Sequence, residues 1–510
     1  MSKFYITTAI AYTNSTPHIG FAMELIQGDC LARYHRLVGD EVFFLTGTDE
    51  HGLKMAQTAK EKKTTPQKLA DTNAAHFKRL AEFVEASNDD FIRTTEERHK
   101  KGAQKLWNKL VEADTLYKKT YEGLYCVGCE AYITEKDLVD GLCPNHKKPP
   151  ITFKEENYFF RYTKYMQEVK ERIEDGRLQI LPDSRKNEML GLLEQGLKEK
   201  KDISFSRPTK DLSWGIPVPN DPEQTMYVWC DALSNYITGL GYGEESELFN
   251  TFWPANVHLI GKDILRFHGG IWIAMLIAAG VGPPKAIYVH GYITSEGQKM
   301  SKSLGNVVDP FETGKKYGVD ALRYFLLREI PTTDDGDFSQ DRFMAVYDSE
   351  LANNLGNLVS RVLTMTQKYA EGKVPASSKN EALETRVLET WKEYQKNFEQ
   401  FNLKGALESV VNLLNTANQY LEEQKPWILA KTDPSAVLKT LYHTLEILRH
   451  ISLMIMPFIP ATAQKLQDGL NWHGTKLYPD NINWGILKEG TQTQKLPSLF
   501  PRLESKEDAA

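Results

Sequence analysis

FYITTAIAYTNSTPHIG, residues 4–20, decides the fold, because one kind of local structure ends and another begins inside it. Residues 4–10, FYITTAI, are rich in β-branched and aromatic side chains and stop at the turn-forming TNSTP, the pattern of a buried strand. Beyond Pro17 the apolar positions Ile19, Ala22, Met23, Ile26, Cys30, Tyr34 and Leu37 recur at three- and four-residue steps, which predicts a helix running to a stop at Gly39–Asp40. EVFFLTG, residues 41–47, reads as a second strand. Strand, helix and strand within about 45 residues make the unit of a parallel sheet, and its right-handed crossover brings both strand ends to one sheet edge. Tyr12, His18 and Asp49 stand at those ends.

The same order returns later, with VHLIG (257–261) as strand, ILRFHGGIWIAMLIAAG (264–280) as helix and KAIYVHGYI (285–293) as strand. The two halves are expected to share one α/β sheet. Between them, residues 116–225 hold a Cys-rich segment and many turns (CPNHKKPP, WGIPVPNDPE), the pattern of an inserted module. After about residue 340 the stretches 351–369, 386–401, 404–424 and 437–456 all show helical period, which predicts an all-α C-terminal domain. The expected division is 1–115 and 226–330 for the two catalytic halves, 116–225 for the insert, 331–350 for a linking region and 351–510 for the helical domain.

With 510 residues the chain exceeds the roughly 250–300 at which single cores stop growing. Lys and Arg number 62 against 68 Asp and Glu, so bulk charge does not coat a nucleic acid, although local basic patches remain open. An odd set of five cysteines in so long a chain is not a disulfide framework, and the N-terminus has no secretory apolar run. A soluble protein of a reducing, cytoplasmic compartment is expected.

In PHIG, His18 sits at the start of the first helix, where unpaired N–H groups favour an anion and Gly20 lets a ligand approach the backbone. SEGQKMSKSLGN, residues 295–306, sets Lys299 and Lys302 three residues apart in a loop behind a strand of the same sheet. Two ammonium groups that approach as negative charge develops are what a departing polyphosphate needs. Read alone, PHIG is equally a capping histidine, and KMSKS a solvated turn. Read together, each behind a strand at one edge, they point at one phosphate-binding crevice.

Cys126-x-x-Cys129 and, thirteen residues on, Cys143-x-x-His146 form two chelating pairs suited to one tetrahedral zinc. Four filled positions leave no open site for water, so the zinc is expected to be structural, holding a knuckle too small to fold by its core alone.

PHIG after a first strand, with KMSKS near residue 300, resembles the class I aminoacyl-tRNA synthetases. AIAYTNSTPHIG, LTGTDEHG, YCVGCEAYITEKDL, ENYFFR, LSWGIPVP, YVWCDALSNY, LIGKDILRFH, GQKMSKSLGN, GVDALRYFLLRE, NNLGNLVSRVL and EQKPWILA, in that order, are similar to the methionyl-tRNA synthetase family over nearly the whole chain. The resemblance implies a Rossmann-like parallel-sheet catalytic domain, an inserted zinc-knuckle module and an all-α anticodon-binding domain. It also implies ATP-dependent ligation of L-methionine to tRNA(Met), with magnesium accompanying ATP. His18, Lys299 and Lys302 then carry catalysis, and Gly20, Met300, Ser301 and Ser303 join them around ATP. Asp49 binds the substrate ammonium. Ile10, Tyr12, Trp229, Ala232, Leu233, Tyr236, Ile264 and His268 line the methionine slot, with the Tyr12 hydroxyl and His268 near the sulfur. Asn357, Arg361 and Trp427 read the anticodon by stacking and hydrogen bonding, although Trp427 taken by itself reads as a core tryptophan.

One residue departs from the family pattern. Phe21 fills the position after Gly20, where family members commonly carry a hydrogen-bonding His or Asn, and it donates nothing to a ribose or phosphate. A non-catalytic tRNA-binding protein is the reading Phe21 favours, and intact KMSKS and Asp49 oppose it. Synthetases for isoleucine, valine or leucine usually carry a large editing domain, for which the roughly 280 residues between PHIG and KMSKS leave no room. A cysteine-specific enzyme would want a metal ligand where Ile10 and Tyr12 stand. The chain stops soon after PSLFPRLE without an appended β-barrel, so a monomer is expected.

Overall fold

The structure is a computed structural model that describes residues 2–128, 131–133, 135–145, 147–244, 246–300, 306–477 and 481–502. β1 (Lys3–Thr8) and the short β2 (Ala11–Tyr12) lead into α1 (Ile19–Leu37), and β3 (Glu41–Asp49) returns parallel to β1, Ile6 against Phe44. All seven apolar positions that predict α1 are buried, and from Leu25 to Ala32 the helix is buried all round. After α2 (Pro66–Phe83), β4 (Asp90–Arg93) adds to β3 in parallel. α3 (Glu97–Glu112) leads out to an antiparallel hairpin of β5 (Leu116–Cys126) and β7 (Ile151–Phe160), with β6 (Ala131–Ile133) at its far end.

β8 (Gln179–Leu181), α4 (Val228–Leu233), β9 (Val257–Gly261), α5 (Ile273–Ala278) and β10 (Ala286–His290) complete the catalytic layer. β9 pairs β1 on one side and β10 on the other, and β8, which lies within residues 116–225, pairs β10. Among the described residues the sheet has seven strands, all parallel, and its two halves meet where β1 and β9 run side by side. The connections leave in opposite directions from that junction, which opens a crevice beyond the carboxyl ends of the strands. Asp49 ends β3, Gly261 ends β9 and His290 ends β10, so topology collects these strand ends at one edge of the sheet.

A hairpin of β11 (Ile293–Ser295) and β12 (Gln298–Lys299) follows, and β11 also pairs in parallel with β13 (Gly336–Phe338), which comes after α6 (Val319–Arg328). The helical domain is α7 (Asn357–Tyr369), α8 (Glu381–Glu399), α9 (Leu403–Gln424), α10 (Pro434–Met454) and α11 (Pro460–Leu470). One continuous apolar core joins it to the sheet, and Tyr34 of α1 stacks on Phe398 of α8 at 3.9 Å between ring centroids. Arg323 of α6, fully buried, donates to Asp29 of α1 at 2.7 Å, to the Val84 carbonyl at 2.9 Å, and to the carbonyls of Pro457 and Phe458 at 3.1 and 2.8 Å. Every arm of the guanidinium is therefore occupied, as a buried cation requires.

The helix expected over 264–280 is broken. A single 3₁₀ turn (Lys262–Ile264) gives way to a π-helical stretch (Phe267–Trp272) before α5. Gly269 and Gly270 explain the tolerance: a Cβ on Gly270 would lie 2.4 Å from the Tyr162 hydroxyl, and one on Gly269 3.0 Å from the Met189 sulfur. A wider turn here redirects Phe267 and His268 toward α4. A second π-helical stretch, Tyr347–Gly356, precedes α7. Such turns concentrate at functional positions.

Candidate active site

His18 caps α1. Its backbone is extended (φ −126°), and its Nδ1 accepts the Gly20 N–H at 3.1 Å. Acceptance at Nδ1 puts the proton of a neutral imidazole on Nε2, the tautomer that donates to a phosphate oxygen. A Cβ on Gly20 would stand 2.9 Å from His18 Cε1, so glycine is needed first for the fold-back of the ring. The Ile19 N–H donates to the Val308 carbonyl at 3.2 Å, and Met300 and Val308, on either side of residues 301–305, pack half-buried against the core that includes α1. The start of α1 is thus tied by backbone to the segment that follows residues 301–305. Ser301, Lys302 and Ser303 lie outside the described residues, and Lys299 is described by its backbone, which pairs with Thr294 in β11.

The base of that hairpin is held by two carboxylates. Asp337 accepts from the Gly297 N–H at 2.8 Å and from the Thr294 hydroxyl at 2.6 Å, and Asp335 accepts from the Tyr292 N–H at 2.8 Å and from Lys262 Nζ at 2.7 Å. Phe21 is half-buried with its ring 4.6 Å from that of His18 and edge-on to Phe77 at 5.1 Å. Apolar contact takes the place of the hydrogen bond the family pattern provides.

Sequence reading missed an ion pair in the same crevice. Glu24, a turn and a half beyond His18 on α1, accepts from His290 Nε2 at 2.8 Å, and His290 Nδ1 donates to the Gly291 carbonyl at 2.7 Å. Burial opposes a charge on His290, yet the hydrogen bond and charge of Glu24, aided by that carbonyl and by Asp263, raise its pKa above the ordinary value. A histidine closing the apolar strand IYVH was the one signal available.

On the amino-acid side, Tyr12 and Asp49 are register partners of β2 and β3. The Asp49 carbonyl takes the Thr13 N–H and hydroxyl at 3.0 and 3.1 Å. The Tyr12 hydroxyl accepts the Met55 N–H at 3.2 Å, and Trp214, from the WGIP segment, closes over this strand end through Nε1 to the Glu50 carbonyl at 2.6 Å. Trp229 of α4 stacks on Phe267, rings 3.7 Å apart and 5° from parallel, with His268 edge-on at 6.3 Å. His268 Nδ1 donates to the Ile264 carbonyl at 3.0 Å, so its Nε2 accepts the Tyr236 hydroxyl at 2.7 Å. Burial holds the His268 pKa down at about 4, and the ring is neutral. Burial pushes the Tyr236 hydroxyl up, and the charges of Glu24 and Asp49 add to the effect. Ala232 and Leu233 are buried on α4, Ile264 is half-buried, and Ile10 leans on a separate cluster of Tyr5, Leu45 and Leu240.

At the hairpin tip, Cys126 ends β5 and Cys143 heads a tight turn in which the Lys147 N–H donates to the Cys143 carbonyl at 2.8 Å. Both thiols are buried, yet neither belongs to an apolar cluster among the described residues. Thiols shielded without a core around them fit metal ligation. Cys129 and His146 lie outside the described residues.

In the helical domain, Asn357 is exposed at the start of α7, and Arg361 lies over the Trp427 ring at 5.3 Å while donating to Glu422 at 2.7 Å. Trp427 is 37% exposed, whereas Trp107, Trp272 and Trp391 are fully buried, so it is a surface platform and not a core residue. A ladder of amides, Asn418 to Asn354 at 2.7 Å and Asn354 to Asn415 at 2.8 Å, runs beside it. Sequence reading did not find that ladder, because Asn354 lies 61 and 64 positions from its partners Asn415 and Asn418.

Comparison with known proteins agrees with this geometry. The family described as tRNA synthetases class I (M) matches residues 4–150 and 145–363, and the anticodon binding domain of methionyl tRNA ligase matches residues 371–510. The chain is 44% identical over 508 residues to a methionine–tRNA ligase of Brucella suis, covering 98% of each chain. It is 42% identical over 514 residues to one of Thermotoga maritima, covering 99% of this chain and 81% of that one. It is similar in structure to Mycobacterium tuberculosis methionyl-tRNA synthetase in complex with methionyl-adenylate, with a TM-score of 0.93 and 39% identity over 98% of this chain and 100% of that chain. With its parallel sheet, a family match over residues 4–363, an anticodon-domain match over residues 371–510 and relatives 42–44% identical over nearly the whole chain, the chain belongs to the methionyl-type class I tRNA synthetases.

Proposed function

We propose that this chain ligates L-methionine to tRNA(Met) in two steps. The methionine carboxylate attacks the α-phosphorus of ATP, forming methionyl-adenylate and releasing pyrophosphate. The terminal ribose hydroxyl of tRNA then attacks the adenylate carbonyl, forming the ester and releasing AMP. No enzyme nucleophile is required, so the protein acts by position and charge.

The observation that supports the reading is the bond from the Ile19 N–H to the Val308 carbonyl, which ties the start of α1, next to His18, to the segment that follows the lysine-bearing loop. His18 donates from Nε2 to the phosphates, and Gly20, Met300, Ser301 and Ser303 line their path. Lys299 and Lys302 neutralise the pyrophosphate as it departs, with magnesium as its counter-ion. Asp49 takes the substrate ammonium. Ile10, Tyr12, Trp229, Ala232, Leu233, Tyr236, Ile264 and His268 form the slot, and a polarizable thioether suits its aromatic walls. His268, held neutral, meets the uncharged sulfur without a stranded charge. Asn357, Arg361 and Trp427 read the anticodon. Cys126, Cys129, Cys143 and His146 hold one zinc, which staples the hairpin tip and takes no part in the transfer.

We place the enzyme in the cytoplasm; among the described residues no helix is long and apolar enough to cross a membrane. The test is ATP–pyrophosphate exchange with methionine, isoleucine, valine, leucine and cysteine in turn. Methionine alone is expected to sustain rapid exchange. Exchange with none of them, alongside tight tRNA binding, would replace the reading with a non-catalytic one.

A further inference from the structure

Asp231 is fully buried on α4 and bridges the chain just beyond β3 to α3. Its Oδ2 accepts from His51 Nδ1 at 2.7 Å, and its Oδ1 accepts from His99 Nε2 at 2.8 Å. His99 is fixed in turn, its Nδ1 2.8 Å from the Thr238 hydroxyl, and His51 lies edge-on to Trp214 with ring centroids 5.4 Å apart. Burial alone would push an aspartic acid up, but the charges and hydrogen bonds of His51 and His99 hold Asp231 at about 2, so it is a carboxylate at any physiological pH.

Position in the chain gives this bridge its meaning. His51 follows Asp49 by two residues at the end of β3, and Asp231 follows Trp229 by two on α4. One side chain thereby ties the strand end that carries the anion to the helix that carries the aromatic wall. Burying a carboxylate is costly, and an apolar pair would fill the same space more cheaply. What an apolar pair lacks is direction: a carboxylate with both oxygens engaged fixes distance and angle together.

We propose that Asp231 is a positioning residue for the amino-acid substrate, acting through His51 and His99 to set the span between Asp49 and the Trp229 wall and hence the side-chain length that the slot accepts. This rests on Asp49 receiving the substrate ammonium. Asp231 is fully buried with both oxygens engaged by His51 and His99, so its influence falls on methionine recognition through them and spares the nucleotide.

Asp231→Asn preserves shape but turns one acceptor into an NH₂ group facing a ring N–H, so one arm of the bridge is lost. In ATP–pyrophosphate exchange the KM for methionine is expected to rise by about tenfold to a hundredfold, the scale of a small misplacement of a substrate-positioning group. The KM for ATP should stay near wild type, and the preference for methionine over its one-methylene-longer homologue should shrink. His51→Ala should raise the methionine KM likewise, and His51→Asn, which keeps an N–H near the Nδ1 position, should restore most of it. That pair answers the question if Asp231→Asn does not fold. Asp49→Asn in the same assay separates the two layers. If it raises the methionine KM while Asp231→Asn and His51→Ala leave it unchanged, the positioning role is wrong and the reading of Asp49 stands. If all three leave it unchanged, both are wrong. Equal rises in the KM for methionine and for ATP would show a merely structural role and overturn the proposal.

Discussion

The N–H of Ile19, the residue after His18, donates to the carbonyl of Val308, three residues beyond the end of KMSKSLG. Residues almost 290 positions apart are joined there by main chain, so the start of α1 and the segment after the lysine-bearing loop do not depend on side-chain choice to find each other. Both ends of that relationship are anchored: α1 by Asp29 on Arg323, and the hairpin by Asp335 and Asp337.

Arg323 is the link between α1 and the turn that precedes α11. Replacing it with alanine leaves buried Asp29 with only Arg33 and Ser87 and leaves the carbonyls of Val84, Pro457 and Phe458 without this donor. Loss of stability on the order of 3–5 kcal/mol is expected in urea unfolding. A change below about 1 kcal/mol would mean that water or a shifted side chain satisfies Asp29.

The neutral state of His268 makes stability depend on pH. Its pKa is about 4 in the folded protein against an ordinary 6.5, so between those values the unfolded chain binds the extra proton. Its contribution is complete above pH 6.5 and is lost as pH falls toward 4. In His268→Gln the decline of stability across that window should be shallower than in wild type, by at most about 3 kcal/mol in total. Parallel profiles for the two proteins would show that His268 is charged or exposed.

Cys143→Ser weakens one of the four proposed zinc ligands. Purified protein should contain less than one zinc per chain, and limited proteolysis should cut within residues 126–150 while the sheet resists. Full metal content in the variant would count against the four-ligand set.

Trp427→Ala removes the platform on which Arg361 lies and which stacks an unpaired base in the proposed mode. Aminoacylation of tRNA(Met) should lose about 1–3 kcal/mol of tRNA recognition, with methionine-dependent pyrophosphate exchange unchanged. A parallel fall in both reactions would place Trp427 in folding and not in reading tRNA.

Much of this was legible in the sequence because period and order carry it. The seven positions that predict α1 are all buried, and Tyr12 and Asp49, read at one sheet edge, are register partners there. What was not legible has a physical reason in each case. The three-residue strand QIL of β8 is too short to show a period, so its return to the sheet was unseen. The π-helical turn at Phe267–Trp272 follows from contacts of Gly269 and Gly270 with Met189 and Tyr162, residues about 80 and 108 positions upstream. Glu24, His290, Asp231 and Arg323 are polar residues whose partners are set by tertiary approach alone, and nothing local marks them out.

The account turns on one pyrophosphate being handled from both sides, by His18 and by Lys302. A double-mutant cycle of His18→Ala and Lys302→Ala, followed by single-turnover adenylate formation, tests this most directly. Each single variant is expected to slow the step by about 10²–10³-fold. The double variant should lose clearly less than the product of the two, as groups acting on one transition state do. Losses that multiply in full, or a Lys302→Ala enzyme that forms adenylate at the wild-type rate, would contradict it.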